Sequence, residues 1–297
     1  MERKYIMQKL NEKNIKLALQ KSGRLTDESL KLLSVAGFEI ESYQQRLFAK
    51  CLNSPLEILF VRDDDIPDYV QNGTVDLGIV GENMLDEDEP ESERLLQLGF
   101  GYCSLVVAVP KESEVFSVKQ LQDATVATSY PNSTKKFFSQ NEVKTKIITI
   151  AGSVEITPAL GVADAIVDIS ASGSTMTLND LRPIETILES QAVLIGNREA
   201  LKNGRKENID RILTRFKGVL AAKRFKYVMM NAPKKSLKDI GKIAPGLRSP
   251  TIIPLADKGW VALHAVIEES QFWKIAEKLK KLGAEGILVS PIEKIIL

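Results

Sequence analysis

The sequence predicts an α/β chain made of two lobes of similar design followed by a small β-α-β-β-α-β unit. Three observations carry this. From Ile15 to Ile195, short apolar runs ending in polar turns alternate with helical patterns, the order that builds parallel sheets. Gly73-Thr-Val-Asp76-Leu-Gly-Ile79 and Gly161-Val-Ala-Asp164-Ala-Ile-Val167 share the pattern G-x-x-D-φ-x-φ, each after a helix and each leading into a small-residue turn. From Glu207 onward the pattern changes to a long amphipathic helix and then to shorter elements. Four matched positions also leave room for chance similarity between two βαβ units.

Ile15–Gln20 reads as the first strand and Lys21-Ser-Gly-Arg24 as the turn after it. Thr26 is the expected cap of the next helix, with Asp27 and Glu28 in its first turn and Gly37 past its end. Phe38–Tyr43 and Leu56–Val61 read as strands, and Arg62-Asp-Asp-Asp-Ile-Pro67 opens a helix that Asn72-Gly73 stops. Val75–Val80 follows as a strand ending in Gly81-Glu82-Asn83, and Asp86–Glu91 reads as a solvated acidic loop. Cys103–Val109 is the strand that crosses to the second lobe. That lobe runs through a strand at Thr125–Thr128, the turn Ser129-Tyr130-Pro131-Asn132, a helix to Gln140 and a strand at Lys146–Ile150. Ser153 is placed as the cap of a helix containing Glu155. Ala165–Ile169 is a buried strand, Thr177–Arg182 a short helix, and Ile184–Leu188 and Gln191–Ile195 are returning strands. Two crossings imply a hinge. Asn208–Ala222 is amphipathic through Ile209, Ile212, Leu213, Phe216, Val219 and Leu220, and Phe225 to Val289 reads in ferredoxin-like order.

Composition narrows the class. The 297 residues are 44% hydrophobic and 27% charged with a net charge of +1, a globular balance that gives no general attraction to nucleic acid or an anionic membrane. Two cysteines make no disulfide framework and fit a reducing cytoplasm; charges occupy the place where a signal peptide needs its apolar core. No apolar run approaches the ~18 residues of a membrane span. The one histidine, His264, lies in a predicted strand as a structural or ligand-contacting residue, which argues against His-rich metal sites and against Ser-His or Cys-His chemistry.

The chemistry concentrates after Asp168, where Ser170, Ala171, Ser172, Gly173, Ser174 and Thr175 pack four hydroxyls and a glycine between a strand and a helix. Such a turn offers converging backbone N–H groups and hydroxyl donors to an anion. An ordinary βα connection rich in small residues has the same composition. No lysine follows the glycine, so this is not the loop of nucleoside triphosphatases. Lys21, Arg24, Arg46 and Arg62 are the basic residues near strand ends, suited to several phosphates or simply exposed. Asp168, Glu155, Asp76 and Glu82 are the candidate acids for Mg²⁺ or for a developing cation. Helix capping explains Asp63–Asp65 at least as well as metal binding does.

The spacing Glu155-x5-Gly161-x-Ala163-x2-Ile166-x-Asp168-Ile169-x2-Ser172-Gly173-x-Thr175-Met176 resembles the signature of the ATP phosphoribosyltransferase family, long form. The likeness extends through Gln20–Leu25, Arg62–Pro67, Val75–Glu82 and Ala127–Pro131. The resemblance implies a catalytic part like the type II periplasmic binding proteins. It implies transfer of phosphoribosyl from phosphoribosyl pyrophosphate to ATP with Mg²⁺, the first step of histidine biosynthesis. It also implies histidine inhibition through the C-terminal domain, a dimer or hexamer, and a cytoplasmic enzyme. The expected division is lobe I at 1–104 with 184–222, lobe II at 105–183, and the regulatory domain at 223–297. On this reading Ser172–Thr175 holds the 5′-phosphate, Ser170 and Ala171 also bind substrate, and Asp168 lies near the ribose hydroxyls. Lys21, Arg24, Arg46 and Arg62 meet the polyphosphates, and Gly81, Glu82, Tyr130 and Glu155 line the cleft. A two-lobed small-anion binding protein without turnover is the competing class.

Overall fold

The computed structural model describes residues 14–41, 47–171 and 174–297. Contacts divide the chain into one unit of Met1–Lys31 with Glu39–Ile209 and a second of Leu32–Phe38 with Asp210–Leu297. Fifteen strands and eight α-helices are described: β1 (Ile15–Gln20), α1 (Arg24–Val35), β2 (Phe48–Lys50), β3 (Leu56–Val61), α2 (Ile66–Gln71), β4 (Leu77–Gly81), α3 (Glu82–Asp88), β5 (Glu93–Gln97), β6 (Cys103–Pro110), β7 (Thr125–Thr128), α4 (Pro131–Gln140), β8 (Lys146–Thr149), β9 (Ala165–Ser170), α5 (Ser174–Leu178), β10 (Leu181–Ser190), β11 (Ala192–Gly196), α6 (Lys206–Ala222), β12 (Phe225–Pro233), α7 (Leu237–Ile243), β13 (Thr251–Pro254), β14 (Trp260–Glu268), α8 (Phe272–Lys281) and β15 (Glu285–Pro291).

The first unit holds two sheets, in the orders β2-β3-β1-β4-β11-β5 and β10-β6-β9-β7-β8. Each contains three parallel strands in the order second, first, third (β3-β1-β4 and β8-β7-β9), followed by antiparallel strands, β11 on β4 and β6 on β9. This is the two-lobed design expected from the sequence. The G-x-x-D pattern serves it structurally. Gly73 and Gly161 both take positive φ, where a Cβ is strained. The Oδ2 atoms of Asp76 and Asp164 then accept the backbone N–H of Lys16 and Thr125, each at 2.8 Å, tying the third strand of each lobe to the first. Asp76 also holds Arg205 at 2.5 Å and is 1% exposed. Both parallel trios are mainly apolar, with Leu17, Ile58, Leu77, Val126 and Ile166 among the buried residues.

The chain passes between the sheets twice, and the two passages run side by side. In the first sheet β5 pairs with β11 (Gln97 opposite Val193), and in the second β6 pairs with β10 (Cys103 opposite Ser190). Backbone bonds from Leu98 N–H to the Ala192 carbonyl and from Ala192 N–H to the Phe100 carbonyl, 3.0 and 2.8 Å, continue the ladder between them. The register shift is taken up at Gly99 and Gly101, both at φ +66.

Several local expectations change. Helix α1 starts at Arg24, so Thr26 lies inside the first turn; its hydroxyl donates to the Gln20 carbonyl at 2.8 Å instead of capping. Phe38 starts no strand: it is buried edge-on against Phe216 of α6, centroids 6.3 Å apart, and only Ile40 bridges Cys51. Half of the acidic run Asp86–Glu91 is helical rather than loop. Glu82–Asp88 forms α3, with Leu85 facing the core and Glu87 buried. Ser153 sits in the left-handed region and makes no side-chain cap to the 3₁₀ turn Val154–Ile156. The helix expected at Thr177–Arg182 lies earlier, at α5, because Asp180 at φ 51 turns the chain directly into β10.

In the second unit the strand order β13-β14-β12-β15, antiparallel throughout, is the ferredoxin-like order expected. Alternate residues of β12 and β14 (Val228, Met230, Ala232; Val261, Leu263, Ala265, Ile267) join Ile240 of α7 and Leu279 of α8 in one core. His264 has the opposite parity, and its Nδ1 meets the Tyr227 hydroxyl at 2.9 Å. Cys51 and Cys103 are free thiols, and no described helix is long and apolar enough to cross a membrane.

Candidate active site

The C-terminal ends of the strands in the first unit meet at a cavity of about 200 Å³. From the first lobe come Gln20 at the end of β1, Arg24 and Leu25 at the start of α1, Asp63 after β3, and Gly81 with Asn83 after β4. From the second come Cys103, Tyr130 after β7, and Ile169 and Ala171 around the end of β9. Ligands of open α/β sheets bind at this end, because loops and helix starts converge there with unpaired donors. A larger groove of about 420 Å³ lies between α3–β5 and α4–β10, but its two cations are already spent: Arg94 on Glu82 and Asp86, Lys136 on Glu89.

Of the residues marked by sequence, Arg24, Gly81, Tyr130 and Ala171 line the smaller cavity. Arg24 also donates to the Tyr102 carbonyl at 3.4 Å. Gly81 has ordinary extended backbone, and space demands it: a Cβ there meets Asn83 Oδ1 at 2.3 Å. That oxygen accepts from the Ser190 hydroxyl at 2.9 Å, which in turn accepts Asn83 N–H at 3.0 Å, so the wall of the cavity is fixed to the end of β10. Asp168 stands in β9, and its Oδ1 accepts Ile169 N–H at 2.8 Å. Burial pushes its carboxyl above the usual range, against that bond, and the charge of Glu155 adds to the rise. Tyr130 is pushed up by burial first and then by the charges of Asp168 and Asp63, so it stays a neutral hydroxyl donor beside two acids.

Lys21, Arg62, Asp76, Glu82 and Ser170 are not among the residues that line the cavity. Lys21 is exposed at the end of β1, and Ser170 ends β9. Arg62 pairs with Asp64 at 2.6 Å on the surface. Glu82 accepts from Arg94 at 3.1 Å and from Gln97 at 3.5 Å. Asp76 is the strand tie described above. Ser174 and Thr175 open α5, whereas the expectations for Arg46, Ser172 and Gly173 fall outside the described residues.

The sequence leaves Asp63 between helix capping and metal binding and does not mark Gln20, Asn83 or Cys103 as site residues. The three consecutive acids have three fates. Asp65 takes the cap position of α2 without a side-chain bond, and Asp64 is held low by its bond with Asp63 and by Arg62. Asp63 faces the cavity with its carboxyl raised by burial and by Asp64. Cys103 is raised by burial and stays a thiol, which suits a site that uses no sulfur nucleophile.

Two family models match the chain: "HisG: ATP phosphoribosyltransferase" over residues 62–218 and "HisG, C-terminal domain" over residues 222–294. The chain belongs to the ATP phosphoribosyltransferase family. Proteins of that name from Cytophaga hutchinsonii and Bacteroides fragilis are each 45% identical to it; the alignments cover 95% of this chain and 98% and 100% of theirs. Among solved structures, the ATP phosphoribosyl transferase (HisG:HisZ) complex from Thermotoga maritima aligns with a TM-score of 0.59 and 26% identity, covering 68% of this chain and 96% of that one. Among the described residues the cavity is lined by one acid, Asp63, with Arg24 and Tyr130, and its one cysteine, Cys103, stays a thiol.

Proposed function

We propose that this chain transfers the phosphoribosyl group of phosphoribosyl pyrophosphate to N1 of the adenine of ATP, releasing pyrophosphate, as the first step of histidine biosynthesis in the cytoplasm. The observation that carries the reading is the strand-end cavity of a chain matched along nearly its whole length by this family. Adenine N1 has a free lone pair, so its attack on ribose C1′ needs no strong base. Positioning and charge stabilisation then supply the rate. In this scheme Asp168 meets the ribose hydroxyls, with Glu155 behind it, and residues 172–175 take the 5′-phosphate. Arg24 and Lys21 meet the polyphosphates. Arg62 joins them by leaving Asp64, an exposed pair that costs little to break.

Mg²⁺ fits this donor set. Among the described residues no three acids, histidines or cysteines cluster to cage a metal, but Asp63 lines the cavity and Asp168 precedes the lining residue Ile169. Mg²⁺ needs only one or two carboxylates besides phosphate oxygens, and it supplies charge neutralisation at the leaving pyrophosphate. The working division is lobe I at 1–104 with 184–222, lobe II at 105–183 and a regulatory domain at 223–297. Histidine bound to that last domain inhibits by favouring one arrangement of subunits in a dimer or hexamer over another.

The test is turnover. Mixing enzyme, ATP, phosphoribosyl pyrophosphate and Mg²⁺ should give the absorbance change of the modified adenine. Arg24→Glu should cost at least ~10-fold in kcat/KM, since one charge-assisted contact is worth ~1.5–3 kcal/mol. Histidine should bind and inhibit without displacing either substrate. Ligand binding with no turnover would instead identify a small-anion binding protein.

A further inference from the structure

We infer that Glu87 is a positioning residue for phosphoribosyl transfer, acting from the first lobe on the second through the start of α4. The inference rests on the cavity described above being the active site. Glu87 lies in α3 and is 6% exposed. One carboxylate oxygen accepts Asn132 N–H at 2.7 Å and the other accepts Ser133 N–H at 2.8 Å. Asn132 Nδ2 returns a bond to the Glu87 carbonyl at 3.1 Å. The first N–H groups of a helix have no partner within it, and a carboxylate there gains both charge-assisted bonds and the helix dipole. Such caps are normally supplied by the residue just before the helix. Here that residue is Tyr130, which makes no side-chain cap.

The first turn of α4 is therefore held by the opposite lobe. This matters because Tyr130 immediately precedes that turn and lines the cavity, close enough to Asp168 and Asp63 for both charges to act on it. The neighbouring Lys136–Glu89 pair, 3.3 Å and well exposed, contributes little, so the buried carboxylate is what fixes the start of α4 to α3. Glu87 touches no substrate in this account. It sets where the Tyr130 hydroxyl stands.

Glu87→Gln in the full-length protein presents an amide nitrogen to one of the two N–H donors and breaks that bond. A loss of about 10-fold or more in kcat/KM is expected, with the circular dichroism spectrum retained. Asn132→Ala removes only the returning bond, should lose less in the same direction, and takes the place of Glu87→Gln if that variant does not fold. The deciding measurement is a double-mutant cycle with Tyr130→Phe. If the two residues act as a unit, the combined loss in kcat/KM falls short of the product of the single losses by about 3-fold or more, a coupling that a general loss of stability does not create. Multiplicative losses, or unchanged kinetics in both Glu87→Gln and Asn132→Ala, would overturn the inference. Silence of both Tyr130→Phe and Arg24→Glu would overturn the cavity assignment, and the inference with it.

Discussion

Replacing Asp76 by alanine separates a structural acid from a catalytic one. Its two oxygens serve the Lys16 N–H at 2.8 Å and Arg205 at 2.5 Å, and the residue is 1% exposed. Removing one partner of a buried ion pair typically costs ~3–5 kcal/mol. The Arg205 side chain is 35% exposed and can turn to water, which lowers the expected loss to ~2–4 kcal/mol. At ~2–4 °C per kcal/mol for a protein of this size, Tm should fall by about 5–15 °C. Asp76→Asn keeps an acceptor for Lys16 N–H and should fall between alanine and wild type. Asp164→Ala, the matching change in the second lobe, loses an exposed bond and should cost ~1 kcal/mol or less. Scanning calorimetry with a turnover assay on the same samples checks all three. If Asp76→Ala melts like the wild type yet has lost transfer activity, the acid is chemical and the strand-tie account is wrong.

Two further outcomes follow from the site. Asp168 has a carboxyl raised by burial, so above its ordinary value of 3.8 the native state holds a proton that the unfolded chain has released, and stability falls as pH rises through that window. Asp168→Asn should therefore melt higher than wild type at pH 7, lose that slope and transfer phosphoribosyl poorly; a lower Tm at pH 7 would contradict the sign. Gly81→Ala pushes a methyl against Asn83 Oδ1 and should cost ~1–3 kcal/mol by overpacking, along with a fall in kcat/KM. Unchanged urea denaturation would show that the Asn83–Ser190 link yields freely.

Much of this architecture is legible in local patterns. β1 and β3 appear with the predicted limits because buried parallel strands are continuous apolar runs between turn residues. The ferredoxin-like unit is read from the order of its elements, and in the structure β12 and β14 bury alternate residues. Phe38 was misread because its partner, Phe216, is distant in sequence, and edge-on aromatic packing overrode a strand-like run. Asp63, Asp64 and Asp65 are chemically identical in sequence, and only the turn between β3 and α2 assigns one to the cavity, one to Arg62 and one to the helix start. Glu87 was hidden for the same reason: an acid in an acidic run carries no mark of the N–H groups it will meet across the lobes.

The paired passages between the lobes have a mechanical consequence. A two-stranded ribbon bends readily across its face, but its hydrogen bonds resist sliding of one strand along the other. Here two backbone bonds link the pairing at Gln97–Val193 to that at Cys103–Ser190, across a register shift taken up at Gly99 and Gly101. Such a joint behaves like a leaf spring with one compliant axis. Bending about it would change the gap between Arg24 and Tyr130, which line the cavity from the two lobes, more readily than it would shift them sideways.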